Sequence, residues 1–169
     1  MRFPYFALIT VLIAACAHTG PEPYSMPAGS TIVVNENITI PGSSASVVMQ
    51  DGKTTPYLTA NRYAPHCILE LQQRKEAPQV VKPGRFTVTK NVQNVGSGST
   101  LMPVAFLNEM YLASPDQPDV FRLTCRQYNM IRELISVEDG YTTVAQMRIA
   151  LGHLISLNPL LPKSEAAKK

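Results

Sequence analysis

His66-Cys67-Ile68-Leu69-Glu70-Leu71-Gln72-Gln73 is the stretch on which the fold is decided. Successive strand residues point to opposite faces of a sheet. Cys67, Leu69 and Leu71 therefore share one face, and His66, Glu70 and Gln72 share the other, with Ile68 breaking the polar set. Val120 to Gln127 repeats the pattern, with Phe121, Leu123 and Cys125 predicted inward and Arg122, Thr124 and Arg126 outward. Both cysteines fall on the apolar phase, so each is expected to point at the core. That arrangement suits strands that are neighbours, or that face each other across a sandwich.

Outward from these runs, strand signals continue. Thr31 to Val34 and Asn37 to Ile40 are short and β-branched, the second closed by Pro41-Gly42. Ser46 to Gln50 is followed by Asp51-Gly52, whose residues both tolerate positive φ, so a hairpin with a return strand from Lys53 to Leu58 is expected. Arg85 to Val92 alternates, with Phe86, Val88 and Val92 on one face. The apolar run Leu101 to Leu112 predicts a strand around Val104 to Leu107, and Pro103 restricts it to an edge or a strand start. Tyr128 to Val137 suggests a short helix. From Tyr141 to Leu157 the apolar positions Val144, Met147, Leu151, Leu154 and Ile155 have helical spacing, with Thr142 or Thr143 as the cap and Pro159 as the stop. The expectation is a mainly β, antiparallel β-sandwich-like domain over residues 31–158 with a C-terminal helix, α+β being the alternative. Residues 159–169 are expected to be a disordered tail.

Only 16% of the residues are charged, there are 14 prolines, and tryptophan is missing. The net charge of +3 is scattered and partly terminal. A nucleic-acid binder would carry a dense basic stripe, so nucleic acid is excluded as a partner. Enzyme patterns fail one by one. His66 and Cys67 are adjacent and point to opposite faces, so His66 is expected on the surface. The run Gly96-Ser97-Gly98-Ser99 lacks the strand–turn–helix frame of a nucleophile elbow and the lysine of a phosphate loop. No carboxylate pair forms an acid–base or calcium pattern. The expectation is a protein that is no enzyme and takes no cofactor and no metal. Two loops are candidate binding segments, Thr59 to Pro65 with Arg62 and Tyr63, and the Gly/Ser-rich Asn94 to Thr100.

Compartment is argued from the N-terminus. Met1-Arg2 is basic, and Phe3 to Ala15 is an apolar run of about 13 residues, where a membrane-spanning helix needs about 20. This is the form of a secretory signal peptide, here residues 1–15. Its end, Leu12-Ile13-Ala14-Ala15-Cys16, resembles the lipobox of bacterial lipoproteins, with Ile13 where leucine is commonest. The resemblance covers these first residues only. It implies cleavage after Ala15, lipidation of Cys16 and a membrane anchor of several acyl chains, each buried methylene contributing about 0.8 kcal/mol. Ala17 in place of aspartate implies the outer membrane, at its periplasmic face. Residues 16–30 then read as the lipid anchor and a flexible tether reaching roughly 45 Å.

In an oxidising compartment Cys67 and Cys125 are expected to form a disulfide. A redox or metal-binding thiol pair is the alternative, but no Cys-x-x-Cys supports it. The closed loop of about 59 residues would stabilise the fold by about 4 kcal/mol. The function expected from all this is a non-enzymatic accessory or scaffold lipoprotein working by contact with an envelope protein. A binder of small ligands or envelope polymer is the alternative.

Overall fold

The computed structural model describes residues 25–96, 103–129 and 140–160. Ten strands and one helix lie in these segments: β1 (Thr31–Val34), β2 (Ile38–Ile40), β3 (Ser44–Gln50), β4 (Lys53–Thr55), β5 (His66–Lys75), β6 (Gln79–Val81), β7 (Gly84–Gly96), β8 (Val104–Ala113), β9 (Val120–Asn129), α1 (Val144–Leu151) and β10 (Ile155–Asn158). Eight strands form one antiparallel sheet in the order β10-β1-β7-β8-β9-β5-β3-β4, and β2 pairs with β6 in a separate ribbon. The chain is mainly β and sandwich-like, with a helix near its C-terminal end, as alternation and helical spacing predict.

One face of the large sheet is apolar. Ile32, Phe86, Val88, Met110, Leu123, Cys67, Leu69 and Met49 are at most 1% exposed, and Ile38, Ile40 and Val81 of the ribbon join the same core. The helix closes that core with Val144, Met147, Ala150 and Leu151. Its start is fixed by a capping box. The Thr143 hydroxyl accepts from the Gln146 amide at 3.2 Å, and the Gln146 side-chain oxygen accepts from the Thr143 amide at 2.8 Å. The β3–β4 turn reaches the end of the helix, where the Gly52 amide donates to the Ala150 carbonyl at 3.0 Å. The turn is the Asp51-Gly52 hairpin that the sequence signals, with φ of 53° and 72°.

Cys67 and Cys125 are directly opposed on the neighbouring antiparallel strands β5 and β9, with Cα atoms 4.0 Å apart, and they are disulfide-bonded. The neighbour-strand arrangement is therefore the one realised, not bridging across a sandwich.

Several expectations are corrected. The predicted helix over 141–157 ends at Leu151, and Ile155 and Leu157 belong to β10, where they alternate with exposed Ser156 and Asn158. Phe121 does not point inward. Val120 opposes Leu71 and Arg122 opposes Glu70, so Phe121 is the extra residue of a bulge and is 38% exposed, while Val120 takes the core position. A second irregularity between Val88 and Lys90 reverses the phase of β7, and Val92 pairs with outward-facing Glu109. Pro103 immediately precedes β8, an internal strand, so it marks a strand start. The packed domain also begins earlier than Thr31. Met26 is fully buried, and Gly29 and Ser30 exchange hydrogen bonds with Val88. At the other end the Leu160 amide donates to Ser30 Oγ at 2.9 Å. Residues 1–24, the Tyr128 to Val137 helix beyond Asn129, and residues 161–169 lie outside the described residues.

Gly152 ends the helix with φ 54° and ψ −130°, a conformation essentially confined to glycine. A Cβ there would sit 2.5 Å from the Gly52 Cα. Gly152→Ala is expected to lower the unfolding free energy by about 1–3 kcal/mol, from backbone strain and separation of the helix end from the β3–β4 turn. Denaturant unfolding checks this, and the β3–β4 hairpin amides should show the largest chemical-shift changes.

Candidate functional site

The outer face of the sheet carries chemistry in two clusters along β9. Arg122 and Arg126 are four residues apart on one strand, so both project from this face. Their surroundings differ. Arg122 donates from Nε to Glu70 Oε2 at 2.5 Å and from Nη1 to Glu109 Oε1. Glu109 Oε2 also accepts from Asn94 Nδ2 at 2.5 Å, so one polar chain crosses β5, β9, β8 and β7. The Glu70 hydrogen bond, opposed by burial and helped by both carboxylate charges, holds the Arg122 guanidinium above its ordinary range. Tyr111 and Phe121 pack edge to face with centroids 5.4 Å apart, and Arg122 lies over both rings. This cluster is charge-compensated and braces the bulge.

Arg126 has no carboxylate within 4 Å among the described residues. It donates from Nε to His66 Nε2 at 3.1 Å and from Nη2 to the Tyr57 hydroxyl at 3.4 Å. Its Cζ lies 5.8 Å from the Tyr57 ring centre and 5.6 Å from that of Tyr128. Arg62 lies over the same Tyr57 ring at 5.3 Å, and it too lacks a carboxylate among the described residues. Two guanidinium groups thus share one tyrosine, held in part by cation–π attraction.

The loop that brings Tyr57 and Arg62 here is tied down by its own sequence. Gln50 donates to the Asn61 carbonyl at 2.9 Å and accepts from the Asn61 amide at 3.0 Å. Asn61 Oδ1 accepts from the Tyr63 amide at 3.1 Å, an Asx turn. The Arg62 carbonyl accepts from the Tyr128 amide at 3.0 Å, which fastens the loop to β9. On this frame Tyr57 is 48% exposed, Leu58 87% and Tyr63 56%.

Arg62 and Tyr63, singled out in the sequence, thus stand together on an ordered loop, and the structure adds Tyr57, His66, Arg126 and Tyr128. Arg126 was legible from its outward phase. Tyr57 carried no signal, because its approach depends on how the loop folds back. His66 is the clearest correction. It is 2% exposed rather than a surface histidine, because the loop and Arg126 cover its ring. Its Nδ1 bonds the Ala64 carbonyl at 3.0 Å, so Nδ1 carries the proton and Nε2 accepts from Arg126. Cys67 and Cys125 are wholly buried and serve the core, while Cys16 and residues 97–100 of the Gly/Ser loop lie outside the described residues. Among the described residues no group of three His, Cys, Asp or Glu side chains is placed to hold a metal, and no helix is long and apolar enough to cross a membrane. No protein-family description, curated protein or solved structure matches this chain.

Burial pushes the His66 pKa below its ordinary 6.5; the Ala64 hydrogen bond opposes this, and the Arg126 and Arg62 charges add to it. Well above pH 6.5 neither folded nor unfolded chain holds this proton, so His66 adds no pH dependence there. As pH falls below 6.5, the unfolded chain takes up a proton that the folded site resists. Stability through His66 should therefore fall with acidification, and level off only once the folded imidazole protonates. Denaturant titrations from about pH 7.5 to about pH 5 should show a steeper loss for the native chain than for His66→Gln. Equal slopes for the two would contradict this reading.

Proposed function

We propose that the chain is an exported lipoprotein, acylated on Cys16 and held at the periplasmic face of the outer membrane. There it acts without catalysis, as an accessory or scaffold component, through contact with an envelope protein. The address rests on the basic start, the short apolar run and the lipobox-like Leu12 to Cys16. The buried disulfide fits an oxidising compartment.

The observation that carries the contact reading is the ordered loop presenting Tyr57, Leu58, Arg62 and Tyr63 to solvent. Tyrosine and arginine are the residues that dominate binding energy at protein interfaces. Surface fixed in advance by hydrogen bonds loses little entropy on docking. The second reading, a binder of small ligands or envelope polymer, draws on one feature. Phe121 is exposed beside Glu70 and Gln72 in a cleft of about 560 Å³, an aromatic face next to hydrogen-bonding groups.

A photo-crosslinking residue placed at Tyr63 in cells should capture one dominant envelope protein. The same residue at Ile149, 67% exposed on α1, should not. Equal capture at both positions, or none at Tyr63, would overturn the contact reading. The anchor is tested separately. Cys16→Ser should shift the protein from the membrane fraction to the soluble fraction, and tight membrane retention would refute lipidation.

A further inference from the structure

The two arginines of the outer face pose a contrast that packing alone leaves open. Arg122 is compensated by Glu70 and Glu109, whereas Arg126, on the same face of the same strand, is bonded by a neutral histidine and a tyrosine hydroxyl. Arg62 is brought to the same Tyr57 ring, so a second cation with no carboxylate partner among the described residues is added beside the first. A fold that needed only to brace Arg126 would have no use for this second charge. The loop nonetheless spends the Gln50–Asn61 pair, the Asn61 turn and the Arg62 carbonyl bond on holding it there.

We propose that Arg62 and Arg126 form a receptor for a carboxylate, supplied by an aspartate or glutamate in a segment of the partner protein. The proposal rests on the contact reading above and names the chemistry of that contact. A guanidinium presents paired N–H donors in a planar fork that matches a carboxylate. His66 Nε2 and Tyr57 hold two of the Arg126 nitrogens, which orients the group before any ligand arrives. Arg62 is exposed and provides the second donor set. Leu58 and Tyr63 stand exposed on the same loop, so the carboxylate should be flanked by apolar side chains. This apolar border favours a protein segment over a free phosphate. Binding should weaken as salt rises, since the charges are near the surface.

The test uses the full mature protein purified in mild detergent and labelled with 15N. Three probes are titrated: a short peptide of alternating glutamate and leucine, the same peptide with glutamine for glutamate, and inorganic phosphate. The glutamate peptide is expected to shift the Arg62 and Arg126 Nε–H resonances saturably. The glutamine peptide should bind at least tenfold more weakly, phosphate should also bind at least tenfold more weakly, and Arg62→Gln should weaken the glutamate peptide at least tenfold. Since Arg62 is exposed and bonds the fold through its backbone carbonyl, this variant keeps the loop; unchanged amide shifts for Asn61 and Tyr128 check that. Equal binding of the glutamine peptide, or no effect of Arg62→Gln, would overturn the receptor. Phosphate binding as tight as the peptide would overturn the assignment to a protein carboxylate. A dominant crosslink from position 63 together with any of these failures would leave the contact reading standing and sink only this inference.

Discussion

The Cys67–Cys125 pair is the constraint from which the rest of the molecule is organised. The two residues oppose each other directly in the antiparallel β5–β9 ladder, and the bond between them fixes that register covalently. A slip of one residue would turn every side chain of either strand to the other face. With the register locked, Leu69 and Leu123 are opposed in the core, and Glu70 faces Arg122 while His66 faces Arg126 on the outside. Core and outer face are therefore two consequences of one pairing.

The outer face uses that pairing in two ways. Around Arg122 the charges close on themselves, and the bulge at Phe121 sets an aromatic beside them. Around Arg126 no carboxylate closes them among the described residues. A neutral imidazole, two tyrosine rings and a second arginine surround it, on a loop fastened at both Asn61 and Arg62. Charge without a carboxylate partner among the described residues, on a preorganised surface, adds little to stability and suits recognition, and the proposed contact surface rests on that contrast.

Much of this was legible from residue order. Alternation around Cys67 and Cys125 identified both central strands and the inward direction of both thiols. Asp51-Gly52 marked the hairpin, and Thr142 or Thr143 marked the helix start, of which the structure selects Thr143. The failures have physical causes. Bulges leave no mark on an apolar run: Val120-Phe121 reads equally well in either phase, and only the partner strand decides which side chain is buried. Leu154 and Ile155 continue a helical spacing by coincidence, and Gly152 was the overlooked stop, since a glycine just past the last helical residue ends a helix. Met26 sits in a proline-rich stretch that resembles a tether, and its burial comes from strands far along the chain. For the site, Arg62 and Tyr63 were visible as a loop pair. Their joining to Tyr57 and Arg126 was not, because contacts between a loop and a distant strand depend on tertiary structure.

The register lock itself can be measured. Protein taken from the cells that make it is unfolded in alkylating reagent without reductant, digested, and analysed by peptide mass spectrometry. A linked pair of peptides holding Cys67 and Cys125, with neither cysteine alkylated, is the expected result. Alkylation of either cysteine in the bulk of the protein would show that the pairing is not locked, and would contradict the structural basis of both faces.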